Sequence, residues 1–208
     1  MGMQSMINVL CVDDHPLMRD GIASALHAQT DMKLVAEASN GAEALTAYRR
    51  HKPDVTLMDL RMPDMSGIEA TTAILQEFPH ARVVILTTYP GDISASRALK
   101  SGALGYLLKR TLRSELVNAV RRIHAGHRHI SPEIANEIAS HVSIDTLSTR
   151  ELEVLRSVAS GKSNKAVADC LRISEDTVKG HMRNVLDKLR ANDRTHAVMI
   201  AMERGYFD

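Results

Sequence analysis

From residue 6 to residue 124 the chain repeats one pattern five times, a short apolar run followed by a stretch with helical spacing. INVLCV at 7–12, KLVAEA at 33–38, DVTLMD at 54–59, RVVILT at 82–87 and LGYLLK at 104–109 read as strands. LMRDGIASALHA, GAEALTAYRRH, GIEATTAILQEF, ISASRALKSG and LRSELVNAVRRI read as the helices that follow them. Strands separated by helices must pair in parallel, and strands covered on both faces read as continuous apolar runs rather than alternating ones. The pattern predicts a doubly wound, flavodoxin-like α/β fold: a five-stranded parallel sheet with five helices. In such sheets a site forms beyond the carboxyl ends of the strands, where the strand order reverses.

Beyond residue 124 the pattern changes. AGHRHISPEIANEIASHVSID at 125–145 reads as a linker with one short helix, started by Ser131 and Pro132. From Leu147 only helical periods remain. Ser148 and Glu151 have capping-box spacing, and Leu147 with Leu152 has that of a hydrophobic staple. ELEVLRSVAS, NKAVADCL, EDTVKGHMRNVLDKL and the stretch from Arg194 to Arg204 predict an all-α unit of four helices. The tight RISED turn between the second and third predicts a helix-turn-helix. The expected organisation is 1–124, a linker at 125–145, and 146–208.

Composition narrows the chemistry. Aromatics are 3% with no tryptophan, which disfavours a stacking pocket for a flat cofactor or for single-stranded bases. Net charge is +1, so any nucleic-acid contact must come from a local patch. No apolar run reaches the ~20 residues of a membrane span and no leader is evident, so a cytoplasmic protein without membrane contact is expected. Cys11 and Cys170 read as small core hydrophobes. The spacing of His124, His127 and His129 fits no standard zinc pattern.

Under the predicted topology, Asp13, Asp14, Asp59, Thr87 and Lys109 come to one edge of the sheet. Carboxylate oxygens suit Mg²⁺, which bridges carboxylate to phosphate while keeping several waters. A carboxylate can also act as nucleophile and accept a phosphoryl group, which a lysine, a hydroxyl and a cation would stabilise electrostatically.

VDDHP at 12–16, MDLRMPDMSGIE at 58–69, LTT at 86–88 and GYLLK at 105–109 resemble the receiver domain of bacterial two-component response regulators. The resemblance implies that a sensor histidine kinase phosphorylates Asp59. It implies that Asp13 and Asp14, with Asp59 and the backbone carbonyl of Arg61, hold Mg²⁺. It also implies that Thr87 bonds a phosphoryl oxygen, that Lys109 pairs with it, and that Tyr106 is the aromatic that swings inward on activation. Receivers commonly have proline after this lysine, with a cis peptide, where this chain has Arg110. Arg61 and Tyr89, each two residues past a site residue, are expected to rim the site and slow hydrolysis of the phosphate.

LSTRELEVLRSVASGKSNKAVADCLRISEDTVKGHMRNVLDKL at 147–189 resembles the LuxR-type DNA-binding domain, and the whole chain resembles NarL/FixJ-type regulators. The resemblance assigns Lys179, Gly180 and Arg183 to the base-facing surface and Thr177, Asn184, Lys188 and Arg194 to backbone contacts. Val167, Ala168, Leu171, Val178, Val185, Leu186 and Leu189 are expected in the core. Relatives often have an apolar residue where Gly180 stands, and glycine offers nothing to a thymine methyl. The implied function is transcription regulation on promoter DNA, with a homodimer on activation meeting half-sites about one helical turn apart. No turnover of an outside substrate is expected. Two alternatives are a constitutive DNA-binding regulator whose receiver serves dimerisation, and an aspartyl-phosphate phosphatase. The latter usually needs a second aspartate where Arg61 stands.

Overall fold

A computed structural model describes residues 6–140 and 146–207 of the chain. Two compact units are present: residues up to Pro90 with Ala95–Asn136, and Gly91–Ser94 with Glu137–Phe207. The expected domain boundary at 145/146 falls beside residues 141–145, which lie outside the described residues.

In the first unit the described strands are β1 (Ile7–Val12), β2 (Met32–Ala38), β3 (Val55–Asp59), β4 (Val83–Thr87), β5 (Gly105–Leu108) and β6 (His129–Ile130). They pair in parallel in the order β2-β1-β3-β4-β5-β6. The doubly wound parallel sheet is as expected, with one strand more than expected. The two residues of β6 are too few for an apolar run or an alternation to declare itself; they add by register, His129 to Gly105 and Ile130 to Tyr106.

Helices α1 (Pro16–His27) and α5 (Leu112–His124) pack on one face of the sheet; α2 (Gly41–His51) and α3 (Gly67–Glu77) lie against the other. Ile22, Leu26, Leu116, Val120 and Ile123 close over Val9, Cys11, Leu57, Val84 and Leu86. Every residue of β3, β4 and β5 is buried, which accounts for their unbroken apolar runs. Cys11 is part of this core; burial first, then the nearby charge of Asp13, pushes its thiol up to about 12, so it stays protonated.

β5 ends at Leu108, and Lys109 opens a single 3₁₀ turn, Lys109–Thr111, that leads into α5. The peptides of the described residues, Lys109–Arg110 among them, are all trans. Helix α4 (Asp92–Lys100) precedes β5, and α6 (Pro132–Ser140) supplies the helix expected after residue 124.

The second unit contains α7 (Thr149–Ala159), α8 (Asn164–Leu171), α9 (Glu175–Leu189) and α10 (Arg194–Arg204). Ser148 and Glu151 close the capping box as expected, and Leu147 and Leu152 both pack on the core. That core is built on Val154, Leu155, Val158, Val167, Val178, Met182, Val185, Leu189, Ala197 and Ala201. Of the residues expected inside, Leu171 and Leu186 are partly buried and the other five fully so.

Cys170 is a correction, since it is exposed. At ~100° per residue, position 170 falls roughly 100° from the centre of the stripe formed by Val167, Ala168 and Leu171. Its thiol lies 3.5 Å from Lys162 Nζ. The α8–α9 turn is made by Arg172 in the left-handed region (φ 54°), and Ile173 N–H closes back on the Ala168 carbonyl at 3.0 Å. The Arg150 guanidinium donates to the last carbonyl of α8, that of Leu171, at 2.8 Å. Among the described residues, no helix is long and apolar enough to cross a membrane.

Candidate functional site

The sheet order reverses at β1, which has β2 on one side and β3 on the other. Asp13 follows β1 and Asp59 ends β3, so both stand at the switch point where such sheets form their crevice. Asp13 is fully buried, and Asp59 and Thr87 almost so.

A close backbone approach sets Asp59 in place. The loop after β3 turns through Asp64, a residue that tolerates its φ of 71°, and brings Gly67 back to the strand end. Gly67 N–H bonds the Leu60 carbonyl at 2.9 Å, and a Cβ on Gly67 would sit 2.0 Å from the Asp59 carbonyl oxygen. Only glycine fits there. Ser66 and Glu69 then start α3 with a full capping box. The "SGIE" of the sequence therefore fixes both the strand end and the next helix.

The Lys109 ammonium bridges two carboxylates, 2.7 Å from Asp13 Oδ2 and 2.9 Å from Asp59 Oδ2. Burial works against the ammonium, but its hydrogen bonds to Asp13 and Asp59 outweigh that and raise its pKa. Asp59 goes the other way from an ordinary surface carboxylate, up to about 6. Desolvation is the main cause and the charge of Asp13 adds to it; the bonds from Lys109 and from the Arg61 backbone N–H oppose it. The nucleophile expected from the sequence is thus a desolvated carboxylate held by one lysine.

A cleft of about 110 Å³ opens above this pair, lined by His15, Asp59, Leu60, Arg61, Thr87, Thr88, Tyr89 and Lys109. That is room for only about three or four waters, far below the ~300 Å³ of a pocket that buries a small-molecule substrate. The Thr87 hydroxyl is turned to its own loop, donating to the Tyr89 carbonyl at 3.1 Å and accepting from the Tyr89 N–H at 3.3 Å. Tyr106 is wholly buried. The Arg61 guanidinium stands 5.4 Å over the Tyr89 ring, and the two rim the cleft together.

Among the described residues, the group of potential metal ligands that gathers is Asp13, Asp14, His15 and Asp59, with one ligand atom of each within 4.8 Å of the others. Three carboxylates with water fit the hard-oxygen preference of Mg²⁺. His15 was not singled out by the sequence reading. Its signal was position alone: it directly follows the paired aspartates.

In the second unit, most of the residues expected to meet DNA lie on α9, and Arg194 opens α10. Arg183 and Asn184 are exposed, and Lys179, Arg183 and Arg194 share a shallow groove with Asn164, Met182 and Leu186. Lys179 pairs with Asp176 at 3.0 Å, one turn back on the same helix, and Arg194 donates to the Lys162 carbonyl at 2.9 Å. Thr177 N–H is capped by Ser174 Oγ at 3.0 Å, so Ser174 is spent inside the helix start. Nothing lies within 4 Å of a Cβ placed on Gly180. Lys188 has a role that the sequence reading did not foresee. Its ammonium bonds the buried Glu151 at 2.8 Å and the Thr146 carbonyl at 3.3 Å, tying α9 to the start of α7.

A switch-point crevice with a bridging lysine, followed by a helix-turn-helix, defines a receiver joined to a DNA-binding unit. Comparison with known proteins agrees. Residues 9–121 match the family described as "Response regulator receiver domain", and 145–201 match "Bacterial regulatory proteins, luxR family". The response regulator protein VraR of Staphylococcus epidermidis is 41% identical over 204 residues, 96% of this chain and 98% of that one. The crystal structure of the response regulator ChrA of a heme-sensing two-component system is 38% identical, covering 98% of this chain and 100% of that one at a TM-score of 0.59. A LuxR-family response regulator from Aurantimonas sp. SI85-9A1 is 41% identical over 66% of this chain and 98% of its own, at a TM-score of 0.64. The chain belongs to the two-component response regulators that carry a LuxR-type DNA-binding domain.

Proposed function

We propose that this regulator is switched by transfer of a phosphoryl group from a sensor histidine kinase to Asp59, and that the switch changes how its helix-turn-helix unit engages promoter DNA. The observation that carries this reading is the Lys109 ammonium held between Asp13 and Asp59 at 2.7 and 2.9 Å, beside a cleft only about 110 Å³ in volume. A buried ion pair of this kind is a poor route to stability. It does place a cation where a transferred phosphoryl group would bring negative charge.

In the reaction, an Asp59 carboxylate oxygen forms a bond to phosphorus while the bond to the phosphohistidine nitrogen breaks. The electron pair leaves with the imidazole. Lys109 moves from pairing with the carboxylate to pairing with a phosphoryl oxygen, and the Thr87 hydroxyl turns from the Tyr89 carbonyl to donate to another. Mg²⁺ held by Asp13, Asp14, Asp59 and the Arg61 carbonyl would neutralise charge on the phosphoryl oxygens. The reaction ends on the protein itself, so no outside substrate is turned over.

Phosphorylation puts about −2 of charge beside Lys109 and Thr87. Withdrawal of the Thr87 hydroxyl from the Tyr89 backbone frees the loop after β4, which is how the signal would leave the site. On the DNA side, Lys179 and Arg183 of α9 with Arg194 of α10 supply a basic groove, and a homodimer would present two such units to two half-sites.

The test is to incubate the protein with acetyl phosphate and Mg²⁺, confirm the added phosphoryl group by mass spectrometry, and measure oligomeric state and promoter affinity. Phosphorylated protein should differ from unphosphorylated in at least one of the two, and Asp59→Asn should take up no phosphate. Phosphate on Asp59 with neither property changed would defeat the switch.

A further inference from the structure

His15 is placed where an ordinary helix-capping residue would not be. It is the N-cap of α1, yet its side chain makes no cap hydrogen bond. Its backbone N–H instead donates to Asp13 Oδ1 at 2.9 Å. The ring turns toward the acidic pair, with Nδ1 2.7 Å from Asp14 Oδ1 and 3.3 Å from Asp13 Oδ1. The far side of the ring is open to solvent, so packing does not force this orientation.

At 2.7 Å the ring nitrogen and the Asp14 oxygen are close enough to serve as neighbouring donors to one cation. The two separations bracket the edge of about 3 Å between neighbouring ligands on an octahedral ion with bonds of about 2.1 Å. Asp13, Asp14, His15 and Asp59 also each offer one ligand atom within 4.8 Å of the others.

We propose that His15 is a nitrogen donor of this cation site, so that the pocket takes a first-row transition dication through three carboxylates and one imidazole. This rests on the reading of the acidic pocket as a cation site and adds a ligand to it. An all-oxygen set favours Mg²⁺, whereas imidazole shifts preference toward the transition series, increasingly from Mn²⁺ onward. The kind of ion in the pocket would then depend on which metal is available as well as on Mg²⁺.

Mn²⁺ is the probe, because its electron spin echo is modulated by a directly coordinated ¹⁴N. The full chain is titrated with Mn²⁺ by electron paramagnetic resonance, with Mg²⁺ as competitor, alongside His15→Ala and Asp14→Asn. Expected are a Mg²⁺-displaceable Mn²⁺ with ¹⁴N modulation in the wild type, and loss of the modulation in His15→Ala. That variant should bind Mn²⁺ about tenfold more weakly and Mg²⁺ within about twofold of wild type. Asp14→Asn should lose both ions. Mg²⁺-displaceable Mn²⁺ without ¹⁴N modulation overturns the nitrogen donor, as does an equal loss of both ions in His15→Ala. Modulation that persists in His15→Ala places the ion on another of the chain's histidines and also overturns it. If the wild type binds neither ion, the cation reading itself fails, an outcome distinct from the others.

Discussion

Lys109 Nζ lies 2.9 Å from Asp59 Oδ2, and even so Asp59 holds its proton up to about pH 6. Desolvation therefore outweighs the ion pair, and the ionised carboxylate destabilises the fold when no cation is bound. Because the folded pKa lies above the ordinary 3.8, the folded state keeps a proton in the window between them that the unfolded chain has lost. Stability falls as pH rises through that window, and the full cost is present above about 6. Asp59→Asn lacks this cost. It should be more stable than wild type by about 3 kcal/mol at pH 7.5 in chelator, at ~1.4 kcal/mol per pKa unit, with the gap closing toward pH 4. Urea unfolding followed by circular dichroism at the two pH values measures it, and a gap independent of pH would contradict the mechanism. Added Mg²⁺ should narrow the gap at pH 7.5 by stabilising only the wild type.

The Arg61 guanidinium stands over the Tyr89 ring, and both residues line the cleft at Asp59. Hydrolysis of an acyl phosphate needs a water in line with the scissile bond, and a bulky pair at this rim is expected to restrict its approach. Replacing both by alanine should shorten the half-life of phosphorylated protein about fivefold, equivalent to ~1 kcal/mol of barrier. The decay of phosphoprotein after removal of the phosphodonor gives the number. An unchanged half-life in the double variant would mean that this pair is not what limits water.

Much of this was legible in the chain because the physics is local. Buried parallel strands must be apolar on both faces, so β1, β3 and β4 declared themselves, and the carboxylates at the ends of β1 and β3 broke the pattern visibly. Ser148 with Glu151 was readable because a capping box is a four-residue device. What escaped depended on tertiary geometry. β6 has two residues and exists only by pairing with β5. Cys170 lies in an apolar neighbourhood of the sequence, but on the wrong side of α8. Lys188 looked like one more basic residue of α9, because its partner Glu151 is 37 positions away. His15 was hidden in plain sight beside two aspartates, since only coordinates show which way a ring turns.

Lys188 and Arg183 lie on the same helix but should have separable effects. Lys188 neutralises Glu151, which is 4% exposed. Burial alone would raise that carboxyl, but Lys188 and the Ser148 cap bring it below its ordinary value. The resulting stabilisation is present above the ordinary pKa of 4.5 and is lost as pH falls through the lower folded value. Removing Lys188 leaves a buried carboxylate with only its cap, so Lys188→Ala should cost about 2 kcal/mol at neutral pH, less than a fully buried pair. Arg183→Ala, at an exposed position, should change stability by less than ~0.5 kcal/mol while weakening promoter binding and lowering its salt dependence. Thermal melts and DNA titrations at two salt concentrations test both. A Lys188→Ala variant with wild-type stability would return that lysine to the DNA.

The same substitution at two glycines should have opposite signs. At Gly67 a Cβ would fall 2.0 Å from the Asp59 carbonyl oxygen, and the obstacle is backbone, which cannot rotate away. Gly67→Ala must push apart the end of β3 and the start of α3, a strain of about 3 kcal/mol or more if it resembles severe overpacking. It should also slow phosphorylation, because Asp59 moves with its own backbone. At Gly180, inside α9, a Cβ meets nothing within 4 Å, and glycine there forgoes up to ~1 kcal/mol of helix propensity. Gly180→Ala should therefore raise the melting temperature of the DNA-binding unit. Whether promoter affinity falls in that stabilised variant then reads out the glycine's purpose directly. A fall means that the gap in the side-chain row lets α9 approach the bases closely. Unchanged affinity means that position 180 does not touch DNA, which would remove it from the base-facing surface.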